Sequence, residues 1–507
     1  MAPRRVLVIG LDAAEPTLLR RWSRSGDLPV LRRLLDDGAH ADLETGSRQF
    51  PDAAMYSAYT GLRAARLGRY FFIEPRRDSP RLALIGDRLP NGEPFWVTAG
   101  RHGRRCLVAD TPKIGLYPPA GGIHVTGWGV HGFNPTLRSA PADVAADILA
   151  RHGRYPVANC DDHGRTPRSY RRLLRGLLDG VAARRRLLLD LATTREWDLF
   201  FAVFAEPHCA GHNLWGVDDT GRRTDPAGEA GPAVRAVYAA VDAAVGDLIQ
   251  AAGSDTRVLL FSTQGMRPQY HGRDLLPALL RLWGMGEARD RAPDPARVAR
   301  MPARQPWLKV LREAVPLPLQ YVIKRRLPRA LEEALLCRFA GVVSLDVTAR
   351  AYQVPNNEMT PAVRINVVGR DPAGIVRPGR EYEALRDVLA TRLRELINPA
   401  TGRAALADVS VTDDAHPGPH RDVFPDLTGY WSPEAPIEAL DSPGFGTVVG
   451  AHHDMRTGGH GPDGMVVVGG ARGPLTSAHI VDVAPTVLDL LGVPAPPDLD
   501  GRSLLSQ

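Results

Sequence analysis

The stretch WDLFFAVFAEPHCAGHNLW, residues 197–215, decides how this chain is read. Its first part, LFFAVF, is a short apolar run with no alternating polar positions. A strand of that kind is buried on both faces, as strands are in a parallel sheet covered by helices. The run leads straight into Glu206, His208 and His212. An interior strand that ends in chemically capable residues places them at the rim of a sheet, where sites of α/β proteins form.

Working outward, the same pattern recurs. RRVLVIGLDA (4–13) is a second short apolar strand, and it ends in Asp12. EPTLLRRWSRSGDLPVLRRLLDDGA (15–39) has helical periodicity and a glycine stop, and FPDAAMYSAYTGLRAARLG (50–68) is another helical stretch. RRCLVAD (104–110) reads as a strand, and residues 139–195 read as mainly helical with breaks. VRAVYAAVDAAVGDLIQAAG (234–253) is an amphipathic helix, followed by the strand TRVLLFSTQG (256–265) and its Thr263 and Gln264. Strand and helix alternate, which implies a doubly wound, mostly parallel sheet with helices on both faces. From 281 the pattern changes to an Arg-, Pro- and Leu-rich region, then the strand AVRINVVGRD (362–371) and the helix EYEALRDVLATRLRELINP (381–399). Residues 410–440 read as loops. MVVVGGA (465–471) and the closing segment return to the strand–helix pattern, with His460 just before them. The expected organisation is a core over 1–280, an inserted α+β region over 281–440, and the rest of the core over 441–507.

Bulk composition excludes several classes. The 507 residues are 44% hydrophobic and 24% charged, the balance of an ordinary globular protein. The net charge is +6, and Lys113, Lys309 and Lys324 are the only lysines, so arginine carries almost all the positive charge. The runs RHGRR (101–105), RRLLR (171–175) and RRR (184–186) read as solvated helix faces, so no nucleic-acid partner is expected. A mild attraction to small anionic substrates is. Four scattered cysteines with no CxxC pair indicate neither a disulfide framework nor a thiolate zinc site. No apolar run approaches the ~18 residues of a membrane span, and no secretory leader is visible. A reducing, cytoplasmic setting is the expectation, with no membrane partner.

If the strands are parallel neighbours, Asp12, Glu206, His208, His212, Thr263, Gln264 and His460 converge on one sheet edge. Three imidazoles and an open position form a common catalytic zinc site. Zinc there lowers the pKa of a bound water to about 7 and polarises an ester oxygen. Glu206, two residues before His208, is a candidate general base or a partner that fixes a histidine tautomer; a buried structural role is the alternative. Arg48, in SRQFPD, is a candidate anion clamp. Cys209 reads as a small buried residue. His271, His452, His453 and Trp128 are further candidates to line a pocket.

These segments resemble the alkaline-phosphatase superfamily in its type I phosphodiesterase/nucleotide pyrophosphatase branch. VLVIGLDA is similar to that family's first strand, ending in a metal-binding aspartate, here Asp12. LPVLRRLLDDGAHADLET and AMYSAYTGLRAARLGRYFF resemble the segments on either side of its nucleophile. VFPDLTGYW, HGPDGMVVVGGARG and IVDVAPTVLDLLGVPAPPDLDGRSL resemble its C-terminal part. The resemblance implies a first zinc site on His208, His212 and His460, with histidine replacing the usual aspartate at His208. It implies a second site degraded by Thr263 and Gln264 where an Asp-His pair is usual, and by Pro51 at the nucleophile position. The expected activity is therefore hydrolysis of a phosphoester, phosphodiester or related ester with one zinc per chain. Two other outcomes fit the residues: the same fold recruited to a lyase, transferase or amide-hydrolysing reaction, and a zinc-binding scaffold without turnover.

Overall fold

The computed structural model describes residues 5–48, 50, 52–75, 82–84, 89–129, 136–157, 160, 166–224, 230–272, 275–286, 299–300, 348–354, 356, 360–450, 456–471, 475 and 477–506. The chain divides into two compact units. One comprises Met1–Arg69, Asp87–Gln269 and Arg456–Gln507; the other comprises Tyr70–Gly86 and Tyr270–Met455. The region expected as an insertion, 281–440, falls within the second unit.

The first unit is built on an eight-stranded sheet. Val6–Leu11 lies at its middle, parallel to Leu199–Phe204 on one side and Arg257–Ser262 on the other. Cys106–Ala109 and Ile123–Thr126 continue the parallel set beyond Leu199–Phe204. Antiparallel strands close both edges: Arg138–Ala140 on one, and Asp463–Gly469 followed by Gly38–Glu44 on the other. The fold is thus an alkaline-phosphatase-like α/β fold with a mostly parallel sheet. VLVIGL and LFFAVF are buried at every position, as the unbroken apolar runs require. The helices Pro16–Ser25, Pro29–Asp37, Pro167–Thr194 and Pro232–Ala252 pack one apolar layer against the sheet, while Ala53–Thr60, Phe95–Arg101 and Val483–Leu490 contribute to the layer on its other face.

Register places the chemistry. Leu11 pairs with both Phe204 and Ser262, so the central strands end level and the residues after them emerge at one rim. Asp463–Gly469 runs the opposite way beside Arg257–Ser262, with Met465 opposite Ser262, so the chain leading into it starts at that same rim.

The second unit holds a four-stranded antiparallel sheet of Ala351–Gln353, Ala362–Ile365, Leu427–Trp431 and Leu406–Val411, with the helix Arg380–Arg394. Here one expectation needs correction. Residues 410–440, read as loops, contain the fully buried strand Leu427–Trp431. The proline- and aspartate-rich surroundings mask this five-residue β-favouring run, whose ladder partners are distant in sequence. In the first unit, the stretch 139–195, expected to be mainly helical with breaks, contains the helices Asp143–His152 and Pro167–Thr194, the latter 28 residues long.

Candidate metal centre

His208 and His212 sit on the short helix Glu206–Leu214, which begins directly after the Leu199–Phe204 strand with Pro207 in its first turn. Four residues apart on a helix, the two imidazoles share one face. His460 arrives from a different direction. Gly458–Gly461 forms a two-stranded antiparallel ribbon with Gly265–Pro268, in which His460 stands opposite Met266. Met266 also packs on the histidine helix: a side chain at Gly211 would collide with it.

The three rings form a nearly equilateral triangle. Centroids are 4.7 Å apart for His208–His212, 4.8 Å for His208–His460 and 4.6 Å for His212–His460. All three residues are buried, and their ligand atoms lie within 4.8 Å of one another. Each ring has a different outer partner at Nδ1. His208 Nδ1 is 2.8 Å from Asp12 Oδ2, His212 Nδ1 is 2.8 Å from the carbonyl of Gly458, and His460 Nδ1 is 3.0 Å from the Gln264 side-chain amide. An Nδ1–H donated to a carboxylate or carbonyl leaves Nε2 unprotonated and available to a metal.

The Gln264 amide makes the same point. With its nitrogen against His460, its Oε1 is buried without a partner. The two ends of an amide have the same shape. The orientation with Oε1 against an Nδ1–H of His460 is the one that gives His460 the tautomer of a metal ligand, and it moves the unpartnered position from the amide oxygen to the amide nitrogen. Burial, then the neighbouring rings of His212 and His208, then Lys113 and Arg456, hold the His460 pKa well below its ordinary value. His460 is thus held as a neutral imidazole, the protonation state that binds a cation.

The remaining candidates separate into groups. Asp12 and Gln264 are at the site, each against the Nδ1 of a histidine. Thr263 is buried at the same rim, directly after the Arg257–Ser262 strand. Arg48 is exposed in the loop after the Gly38–Glu44 strand. Cys209 is buried between the two histidines, in keeping with a small core residue. His271 belongs to the second unit. Pro51, His452 and His453 lie outside the described residues.

Glu206 is fully buried, and its Oε1 accepts hydrogen bonds from Arg184 Nε and the Tyr155 hydroxyl, each at 2.8 Å. Arg184 also reaches Asp110 at 2.6 Å and the carbonyl of Gly129 at 2.6 Å. Burial works against the charge of Arg184, but Glu206 and Asp110 outweigh it and keep the guanidinium's pKa raised. This network is what reading the sequence alone misses. Arg184 belongs to the RRR run that reads as a solvated face, yet it is 0% exposed while Arg185 and Arg186 face solvent. Its position in the helical period, three residues after buried Val181 and four before buried Leu188, was the available signal. Trp128, considered for a pocket mouth, is buried here too: its indole N–H donates to the Gly153 carbonyl and its ring packs edge-on against Tyr155.

The comparisons with known proteins agree with this architecture. A family model described as type I phosphodiesterase/nucleotide pyrophosphatase matches residues 6–321. Phosphonoacetate hydrolase from Sinorhizobium meliloti 1021, solved with phosphonoacetate, superposes with a TM-score of 0.54 at 14% identity, over 97% of this chain and 96% of that one. Its complex with phosphonoformate gives 0.53 at 15% identity over the same shares. A 2,3-bisphosphoglycerate-independent phosphoglycerate mutase from Paracoccus denitrificans is 39% identical over 85 residues, and the match spans 14% of this chain and only 17% of the mutase.

Proposed function

The chain belongs to the type I phosphodiesterase/nucleotide pyrophosphatase family, and from that premise we propose that it hydrolyses a phosphoester, phosphodiester or related ester at a mononuclear zinc site. The observation that carries the reading is the triangle of buried imidazoles, each with Nδ1 engaged by a different outer group. The donor set fits zinc: three neutral nitrogens with outer partners already in place. His208, His212 and His460 would hold the ion through Nε2. When bound, zinc supplies a Lewis acid that polarises an ester oxygen and acidifies water.

The chain's own residues do the rest. Asp12 keeps the His208 proton on Nδ1 and brings a carboxylate to the site. Gln264 does the same for His460 without adding charge. Compared with a carboxylate-rich ligand set, three neutral ligands leave more of the cation's charge for an anionic substrate. Glu206, tied to Arg184 and Tyr155, anchors the start of the histidine helix. The substrate class, a small anion bearing an ester, is part of this proposal, as is a cytoplasmic setting; among the described residues no helix is long and apolar enough to cross a membrane.

The test is metal content of the purified protein beside a His460→Ala variant, with aryl phosphate mono- and diesters as substrates. One zinc per chain, lost in the variant together with ester turnover, is the expected result. A metal-loaded native protein that hydrolyses none of these esters would overturn the assignment.

A further inference from the structure

Lysine is almost absent from this chain, and Lys113 is the one lysine among the described residues. It is not on the surface. Its side chain is 7% exposed and its ammonium lies 2.6 Å from Asp52 Oδ1, itself 5% exposed. Asp52 sits at the start of the Ala53–Thr60 helix. The segment carrying Lys113 is pinned by two further residues of that helix: the Tyr56 hydroxyl donates to the carbonyl of Lys113 at 2.8 Å, and the Tyr59 hydroxyl to that of Pro112 at 3.2 Å.

The location is the rim that carries the histidines. Lys113 follows the carboxyl end of Cys106–Ala109, which pairs in parallel with the strand leading to His208. Among the described residues, the non-glycine positions with positive φ are Ala13 (51°), Asp110 (59°) and Lys113 (64°). All three lie just beyond strands of this one rim. Left-handed backbone at residues with side chains is costly, and it concentrates at functional sites. Lys113 is also close enough to His460 for the two to interact electrostatically.

We propose that Lys113, aimed by Asp52, is the residue that binds the anionic oxygen of a phosphoryl or phosphonyl substrate beside the histidine site. This deepens the hydrolase reading and rests on it. An ammonium has three donors, and one is spent on Asp52. The others can meet a substrate oxygen, with the ion pair keeping the long side chain in place. A lysine suits this task because its ammonium is a compact point charge with rotatable donors, free to turn toward an oxygen while one donor stays on Asp52.

The experiment is calorimetric titration of the zinc-loaded protein with inorganic phosphate, comparing native, Lys113→Met and the double variant Lys113→Met/Asp52→Asn. The double variant removes the orphaned carboxylate that would otherwise destabilise the single one. Phosphate binding should weaken about 10- to 100-fold in both, with one zinc retained and a cooperative melt preserved in the double variant. A purely structural ion pair would lower the melting temperature without changing phosphate affinity. Binding within twofold of native in the double variant overturns the proposal, as does a native protein that binds no phosphate. Zinc content and ester turnover, measured separately, decide the hydrolase reading in either case.

Discussion

Asp12 and His208, 196 residues apart, meet at 2.8 Å with both side chains buried. The aspartate that closes the first strand therefore orients an imidazole. A carboxylate behind a ligating histidine fixes its tautomer and raises its basicity, and such partners change metal affinity substantially when removed. Asp12→Ala should weaken zinc binding about 10- to 100-fold, with Asp12→Asn intermediate because its amide oxygen still accepts the Nδ1–H. Competition with a chromophoric chelator measures both. Unchanged affinity in Asp12→Ala would remove the aspartate from the metal site.

Arg184 joins Asp110, after one strand, to Glu206, at the start of the histidine helix, with all three side chains almost fully buried. Removing one member of such a network leaves uncompensated buried charge. Arg184→Met should lower unfolding free energy by about 3–5 kcal/mol, read from the urea midpoint at constant slope. Glu206→Gln should be milder and should leave zinc stoichiometry unchanged. A large loss of turnover in stably folded Glu206→Gln would instead make that carboxylate a participant in the chemistry.

His124 is a pH sensor of stability. Its Nδ1 accepts from the Tyr117 backbone N–H at 3.0 Å, so Nε2 carries the proton and donates to Thr111 at 2.9 Å. Burial pushes its pKa down to about 4. Above pH 6.5 both folded and unfolded states hold it neutral, and it has no effect on the pH dependence. Between 6.5 and 4 the unfolded state takes up the proton first, so stability falls with pH by a total of about 3 kcal/mol from this residue. His124→Gln should flatten the acid limb of the urea midpoint plotted against pH. An unaltered limb would mean that the histidine does not titrate as its burial requires.

Gly265 is a steric checkpoint for His460. A Cβ there would fall on Glu15 Oε2, the atom that accepts the Met266 backbone N–H at 2.9 Å. Met266 stands opposite His460 in the ribbon. Gly265→Ala should displace Glu15 or the ribbon, lower the melting temperature by several degrees, and weaken zinc binding more than a comparable glycine change on the far side of the molecule, such as Gly253→Ala. Equal zinc affinity in the two variants would show that the ribbon does not position the ligand.

Much of the architecture was legible in the chain. Unbroken apolar runs such as VLVIGL and LFFAVF demand burial on both faces, and only a helix-covered parallel sheet provides it. Their polar terminators, Asp12 and the Glu206–His212 segment, followed from where parallel strands end. The Leu427–Trp431 strand was not legible, because a five-residue segment gains its stability from ladder partners that local composition does not reveal. The burial of Arg184 was hidden by two exposed arginines beside it.

What the sequence determined by itself is therefore the sheet, the rim and the three histidines, since burial patterns and strand polarity are properties of local residue order. Only the tertiary structure decided what stands behind each imidazole. Asp12, the Gly458 carbonyl and Gln264 reach their rings from strands and ribbons far apart in the chain. Hydrogen bonds are made at about 3 Å in space, and no spacing along the chain encodes which distant atom will occupy that shell.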